Sequence, residues 1–212
     1  NSGAILAMAS YPTYDPSVFL PGTDDPEADK KISEYMNDKN RPMLNRAIGG
    51  IYTPGSVYKP LTAIAALEEG AITPDTVIYD RGYTIQGGMR FRCMGVHGPV
   101  NLKRGLAVSC NVYFQEIGVK TGIDNIDKWA KLFGLGELTG VEIPAEEAKG
   151  VRANRESKME RRNDVWRPAD TAQASIGQFD NMFTPIQIAN YVSTLANGGK
   201  RYKPYLIKSV KK

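Results

Sequence analysis

The sequence lacks any apolar run long enough to cross a bilayer. Its longest apolar stretch near the amino end is AILAMA, residues 4–9. A membrane-spanning helix needs about 20 apolar residues, and a signal peptide carries an apolar core of about 7–15 residues behind a basic start. We therefore expect no membrane-spanning segment within these residues.

The sequence also lacks an internal repeat, a low-complexity tract and a strong net charge. The net charge is +4, and the basic residues cluster mainly in VRANRESKMERRND, residues 151–164. Nucleic-acid surfaces usually interleave basic with aromatic residues, and this run contains no aromatic residue. We expect a solvated, mobile loop here and no nucleic-acid partner. Because no nucleotide-binding glycine pattern precedes Tyr113, Phe114 or Trp166, we expect these aromatic residues in the core or a cleft wall.

The composition is sufficient for one sizeable core, with 42% hydrophobic residues in a chain of 212. Apolar runs predict strands at residues 3–10 (GAILAMAS) and 202–210 (YKPYLIKSV), and short alternating pieces predict an extended or hairpin excursion between residues 77 and 101. Helical spacing predicts helices in LKRGLAV, NVYFQEIG, IDNIDKWAKLFG and TPIQIANYVSTLANGG, the last running from Thr184 to Gly198.

The stretch YTPGSVYKPLTA, residues 52–63, places a serine and a lysine three residues apart at a helix start. Ser56 follows a Pro-Gly turn, and apolar residues at helical spacing continue to Gly70. Residues three apart share one helix face, so the Lys59 amine can lie beside the Ser56 hydroxyl as a base beside a nucleophile. We expect Tyr58, within the same motif, to face the core behind Ser56.

A second pair of polar residues, Ser109 and Asn111, lies 53 and 55 positions after Ser56, where one helical segment ends and the next begins. A hydroxyl and an amide at this spacing can point into one cleft. The hydroxyl would relay a proton, and the amide would hold a substrate carbonyl or the lysine.

Three segments carry a resemblance to a known family: RAIGGIYTPGSVYKPLTA, GPVNLKRGLAVSCNVYFQEIG and ASIGQFDNMFTPIQIANYVSTLANGGK. Together with the opening GAILAMASYPTYDPSVF, they resemble the transpeptidase domain of high-molecular-weight class B penicillin-binding proteins, in the right order over nearly the whole chain. The resemblance implies an α+β penicillin-binding/serine β-lactamase-like fold, with an antiparallel sheet, helices on both sides and a helical subdomain. Gly177 and Gln178 match a family signature and would support the floor of the active site.

The resemblance also implies an activity and a role for each motif residue. Ser56 would attack the penultimate D-Ala carbonyl of a peptidoglycan stem peptide, Lys59 would act as base, Ser109 would relay a proton to the leaving amine, and Asn111 would bind substrate and the lysine. The backbone N–H of Ser56 would contribute to the oxyanion hole. No cofactor is required for this chemistry, and β-lactams, which mimic D-Ala-D-Ala, would acylate the same serine.

One family motif is missing at its expected place. The Lys-Thr-Gly of the edge strand lies well beyond residues 198–200 in that family, and Lys120-Thr121-Gly122 follows Asn111 too closely, so we interpret it as a helix end. We therefore expect residues 1–212 to be a partial transpeptidase domain with an incomplete sheet, completed by a carboxy-terminal part outside these residues.

Both cysteines and the only histidine fall within 18 residues. Cys93, His97 and Cys110, with Asp80 or water as a fourth ligand, are compatible with a tetrahedral structural zinc site. Three other interpretations stay open: a Cys93–Cys110 disulfide, a histidine that only holds its loop, and a small buried hydrophobic role for Cys110.

The resemblance leaves two alternative functions, a β-lactam-sensing receptor domain and a serine β-lactamase. The peptidoglycan-synthase flanks argue against the first, and the lack of a clear water-activating acid argues against the second. The family further implies a glycosyltransferase partner and a place on the extracytoplasmic face of a bacterial membrane, anchored by an amino-terminal segment outside these residues.

Overall fold

The computed structural model describes residues 2–20, 26–143 and 145–210. Within these ranges, short 3-10 turns cover Pro16–Phe19 and Gly55–Tyr58. The elements in chain order are α1 (Pro26–Asn37), α2 (Lys59–Glu68), β1 (Ile78–Asp80), β2 (Tyr83–Gln86), β3 (Met89–Arg92), β4 (Gly98–Val100), α3 (Leu102–Ala107), α4 (Asn111–Thr121), α5 (Ile123–Leu132), α6 (Arg155–Arg162), α7 (Pro168–Ala174) and α8 (Pro185–Ala196). The α+β expectation is confirmed, and the predicted helices are present.

The four strands form two nested antiparallel pairs. The outer pair joins β1 to β4, with Ile78 opposite Val100, and the inner pair joins β2 to β3, with Tyr83 opposite Arg92. Of the two conformations predicted between residues 77 and 101, extended or hairpin, the structure has the hairpin, formed by β2 and β3. The described residues form no larger antiparallel sheet.

The strands predicted at residues 3–10 and 202–210 are wrong as regular elements. Among the described residues, these segments meet at one isolated parallel bridge, between Ala4 and Tyr205, and the side chain of Leu6 is 95% exposed. An extended segment becomes a regular strand only where a neighbour supplies a continuous ladder of backbone hydrogen bonds. The described part of the chain supplies only that single bridge here.

Helix α2 lies at the centre of the core because its side chains are buried on most of its surface. Leu61 and Ala65 pack with residues of α5, α7 and α8, whereas Ala63 and Ala66 pack with residues of α4 and β4. Tyr58 is buried in the first of these clusters, behind Ser56, as predicted. Burial on opposite sides holds the start of α2 in a fixed position.

The basic run at residues 151–164 is not a solvated loop, which corrects the sequence prediction. It contains α6, which begins with a capping box between Asn154 and Ser157. Within α6, Lys158 is buried, and its Nζ donates to Asp170 Oδ2 at 2.6 Å and lies 2.9 Å from Asp164 Oδ2. The prediction of a solvated loop rested on the number of charged residues. That number does not reveal that two carboxylates contact one buried ammonium group.

The ends of two helices agree with the sequence. Gly122 ends α4 with a φ of 84°, so Lys120-Thr121-Gly122 is a helix end and not part of an edge strand. Thr184 caps α8 in a capping box with Gln187. Among the described residues, no helix is both long and apolar enough to cross a membrane.

The contact between α4 and α7 generates a stability prediction. A Cβ at Gly118 would lie 1.8 Å from Ser175 Oγ and 2.4 Å from Ser175 Cβ, so Gly118→Ala should force the helices apart. We expect the free energy of unfolding to fall by at least about 2 kcal/mol, measured by urea denaturation.

Ser175→Gly supplies the matched test of this contact. It removes the clashing atoms but also the hydrogen bond from Ser175 Oγ to Thr171 O, so alone it should cost about 1–2 kcal/mol. The free energy of unfolding that the double variant loses should be clearly smaller than the sum of the losses of the two single variants. Simple additivity of the two losses would show that the helix contact is not the cause.

Candidate active site

Ser56 lies in the 3-10 turn that leads directly into α2. The preceding residue, Gly55, has a φ of 58°, and its N–H donates to the carbonyl of Gly177 at 2.9 Å. A Cβ on Gly177 would lie 2.3 Å from Gly55 O. Glycine is therefore required at residue 177 because the two backbones approach so closely.

The Lys59 side chain is buried at the first position of α2 and makes three hydrogen bonds. Its Nζ donates to Ser109 O at 2.7 Å, to Ser109 Oγ at 2.9 Å and to Asn111 Oδ1 at 2.7 Å. An ammonium group has three donors, and each finds an acceptor here. Lys59 thus connects α2 to the start of α4.

Ser109 connects the lysine to the serine of the first motif. It lies between α3 and α4 with a φ of 51°, and its hydroxyl is 2.9 Å from the Ser56 hydroxyl. The hydrogen bonds of the described residues include none between Lys59 Nζ and Ser56 Oγ. The expected direct contact is therefore replaced by a chain from Ser56 through Ser109 to Lys59, because the lysine side chain extends to the three acceptors on residues 109 and 111.

Burial shifts the Lys59 amine toward its neutral form, although its three hydrogen bonds are those of an ammonium donor. Burial lowers the pKa of the amine below its ordinary value of 10.5, and the nearby sulfurs of Cys93 and Cys110 act in the opposite direction. The amine also lies 5.7 Å from the centre of the Phe114 ring, which is a wall of the site as predicted. A lowered pKa makes an amine available as a base nearer neutral pH.

The four residues of the predicted metal site lie together, next to the second motif. Asp80, Cys93, His97 and Cys110 each offer a ligand atom, and these atoms are all within 4.8 Å of one another. His97 Nδ1 is 2.6 Å from Asp80 Oδ2, and Cys93 Sγ is 3.6 Å from His97 Nδ1. The two sulfurs are 3.9 Å apart and both cysteines are free, so the disulfide alternative is not formed.

This cluster is connected to the candidate active site through the backbone. Cys110 stands between Ser109 and Asn111 and caps α4, where its Sγ accepts a hydrogen bond from Tyr113 N at 3.3 Å. Cys93 Sγ accepts from Asn111 N at 3.2 Å. Both sulfurs therefore help to position the residues that contact Lys59.

Burial and hydrogen bonds set the protonation of the cluster. Burial raises the pKa of Cys110 to about 12. Burial alone would also raise the pKa of Asp80, but hydrogen bonds from Gly82 N–H, Cys110 and His97 outweigh it and hold that pKa below its usual value. The cluster thus combines a buried thiol with a carboxylate that is ionised at neutral pH.

Ser56, Lys59, Ser109 and Asn111, the four predicted residues of the two motifs, lie together at the start of α2. Two contacts that hold them there could not be predicted from the sequence. The carbonyl of Ser109 is an acceptor for Lys59, and the carbonyl of Gly177 anchors Gly55. Every residue has a backbone carbonyl, so no residue type marks these two. The SIGQF segment alone indicated that Gly177 lies near the site.

The fold and the two motifs define a transpeptidase domain of the penicillin-binding type. Residues 1–212 match the family model described as the penicillin binding protein transpeptidase domain, and the chain belongs to that family. It is 36% identical over 214 residues to the peptidoglycan D,D-transpeptidase MrdA of Haemophilus influenzae, covering 99% of this chain and 32% of that protein. The chain thus spans about a third of the length of this relative.

Solved structures agree with this assignment. Pseudomonas aeruginosa PBP2 in complex with WCK 5153 aligns with a TM-score of 0.90 at 34% identity, over 98% of this chain and 45% of that one. PBP2 of Helicobacter pylori in complex with MreC aligns with a TM-score of 0.89 at 32% identity, over 100% of this chain and 39% of that one. The transpeptidase fold expected from the sequence is therefore confirmed.

The burial of Lys59 generates a prediction about its titration. Because burial disfavours the ammonium form, Lys59 should lose its proton at a lower pH than the exposed lysines do. In an NMR titration of 13C-labelled lysine side chains, one Cε resonance should titrate below the rest and should be missing from Lys59→Met. A Lys59 resonance that titrates with the surface lysines would contradict this account.

Proposed function

We propose that this domain cross-links peptidoglycan by acyl transfer through Ser56. The observation that carries the proposal is the hydrogen-bonded chain from Ser56 Oγ through Ser109 Oγ to Lys59 Nζ. A serine hydroxyl is a weak nucleophile unless a base accepts its proton. In this hydrogen-bonded chain, the Lys59 amine is a base of lowered pKa, and only the Ser109 hydroxyl separates it from the Ser56 hydroxyl.

The proposed acylation step uses each residue of the two motifs. Ser56 Oγ bonds to the carbonyl carbon of the penultimate D-Ala, its proton passes through Ser109 to Lys59, and the C–N bond to the terminal D-Ala breaks. Ser109 returns the proton to the departing nitrogen, so D-Ala leaves with a neutral amino group. The acyl group remains on Ser56 as an ester. The amine of a second stem peptide then attacks this ester, which forms the cross-link and restores the Ser56 hydroxyl.

Two groups would hold the reacting carbonyl during this step. The N–H of Ser56 lies in the first turn of a continuous helical segment, where backbone donors have no partner within the helix, and would stabilise the developing oxyanion. The side-chain nitrogen of Asn111 would donate to a substrate carbonyl, because its oxygen already accepts from Lys59. Among the described residues, the nitrogen of this amide makes no hydrogen bond, so its donor side can face a substrate.

The two alternative functions differ from this proposal in the fate of the acyl group. A sensor domain would keep the ester without transferring it, and a β-lactamase would hydrolyse it quickly. The similarity to an enzyme named peptidoglycan D,D-transpeptidase favours transfer to an amine. We propose no required cofactor for the acyl transfer.

The proposed substrate implies a location for the protein and the kind of partner protein it needs. Peptidoglycan stem peptides lie outside the cytoplasmic membrane, so we place the domain on that side, in an anchored protein of which this chain is one part. A glycosyltransferase that supplies the glycan strands is the expected partner. The complex of Helicobacter pylori PBP2 with MreC suggests a further partner of that kind for this protein.

Intact mass after exposure to benzylpenicillin tests the proposed nucleophile. We expect the full-length protein to gain one penicillin mass that persists for hours and maps to Ser56, because no rapid hydrolysis is proposed. Ser56→Ala should gain none, while Ser2→Ala, a change remote from the active site, should leave labelling unchanged. An adduct that survives Ser56→Ala would refute the assignment, and rapid loss of the adduct would favour a β-lactamase.

We further propose that Asp80, Cys93, His97 and Cys110 bind a structural zinc ion. Ligands of a tetrahedral zinc with bonds of about 2.0–2.3 Å lie about 3.3–3.8 Å apart. The Cys93–Cys110 and Cys93–His97 separations of 3.9 and 3.6 Å are close to these distances, whereas Asp80 Oδ2 lies nearer, 2.6 Å from His97 Nδ1 and 3.2 Å from Cys110 Sγ. Two sulfurs, one imidazole and one carboxylate also form a donor set that suits zinc. The bound ion would stabilise the loop that positions Asn111.

Metal analysis of protein purified without chelator or affinity-tag histidines tests this site. We expect about one equivalent of zinc, and Cys93→Ser should lose the metal and lower the melting temperature. Met94→Ala is the matched control, because its side chain is 88% exposed in the same loop, and it should retain the metal. Less than about a tenth of an equivalent in the unmodified protein would end the proposal.

A further inference from the structure

The backbone on both sides of Gln178 has an unusual conformation, immediately behind the candidate nucleophile. Gly177 and Phe179 have φ values of 71° and 63°, both in the left-handed region. Phenylalanine rarely adopts this conformation, because its Cβ approaches the backbone too closely. Such strain persists only where the surrounding structure holds it, and it tends to occur at functional sites.

Contacts from α6 hold this turn in place. Arg162 donates to Asp180 through Nε at 3.0 Å and Nη2 at 2.6 Å, and its guanidinium lies 4.8 Å from the centre of the Phe179 ring. Trp166 packs edge-on against the same ring, with centroids 5.5 Å apart. The left-handed Phe179 is thus fixed by an ion pair on one side and by ring contacts on the other.

The side chain of Gln178 is exposed beside the nucleophile turn. The position that a Cβ would take on Gly55 shows where this amide lies. Gln178 Nε2 is 3.7 Å from that position, and no other atom outside the adjoining residues is within 4 Å of it. In the described part of the chain, no hydrogen bond is made by the side-chain amide of Gln178, although the residue's backbone N–H donates to Gln173 O. A strained turn therefore presents a free amide next to the residue that precedes Ser56.

We propose that Gln178 binds a peptide group of the acyl donor, on the amino-terminal side of the scissile bond. A side-chain amide offers two donors and an acceptor, so it can donate to the C=O of a peptide group or accept from its N–H. This inference rests on the proposed function, because it assigns Gln178 to the substrate of the Ser56 acylation. Gln178 is a binding residue in this account and takes no part in proton transfer.

Two penicillins that differ in one peptide group test the assignment. Benzylpenicillin carries an acylamino group where a stem peptide has its last peptide bond before D-Ala-D-Ala, whereas 6-aminopenicillanic acid has a free amine there. In the full-length protein, Gln178→Ala should slow acylation by benzylpenicillin about three- to tenfold, the effect of losing one hydrogen bond. Acylation by 6-aminopenicillanic acid should be unchanged, because it lacks the group that Gln178 binds.

Two further variants serve as controls. Gln86→Ala removes a glutamine from the end of β2 and should change neither rate. Arg162→Ala releases the turn itself and should slow both compounds alike. Melting temperatures show whether each variant is folded, and Gln178→Ala should match the unmodified protein because its side chain is exposed.

The outcomes separate this inference from the proposed function. Equal slowing of both compounds by Gln178→Ala would mean that the residue only supports the turn, and no slowing would mean that it does not bind the donor; either result overturns the inference while acylation of Ser56 stands. An unmodified protein that neither compound acylates would refute the proposed function and this inference with it.

Discussion

The three hydrogen bonds of the buried Lys59 amine are the interaction on which the rest of the site depends. They join the first residue of α2 to both residues of the second motif. A buried ammonium without acceptors is costly, so the start of α4 must lie where Ser109 and Asn111 meet that amine. The same burial lowers the pKa of the lysine. One constraint therefore sets both the geometry and the basicity of the site.

Two separate supports hold the loops that bring the motifs to Lys59. On one side, the cluster of Asp80, Cys93, His97 and Cys110 ties the strand loops to the start of α4. On the other, the turn at Gly177 lies against Gly55 and is held from α6 by Arg162. The chemistry of the site is local, but its position is determined by elements distant in the chain, such as the turn at Gly177 that lies against Gly55.

Errors in the sequence reasoning have a common physical cause. The predicted strand at residues 3–10 lacked a partner ladder, and the basic run at 151–164 is not a solvated loop because its Lys158 is buried against two carboxylates. The expected direct pairing of Lys59 with Ser56 became a chain through Ser109. Each outcome depends on partners distant in the sequence, which local patterns do not contain.

The sequence by itself determined the helices α2, α3, α4, α5 and α8, the two motifs, the resemblance to a family and the four residues of the candidate metal site. These depend on residue type and short spacing, which hydrophobic periodicity, capping residues and side-chain chemistry express directly. Only the tertiary structure decided that Ser109 bridges Ser56 and Lys59, and that Gln178 lies beside Gly55. Those relations arise because packing around α2 brings distant loops together, and hydrogen bonds form only between groups within about 3 Å.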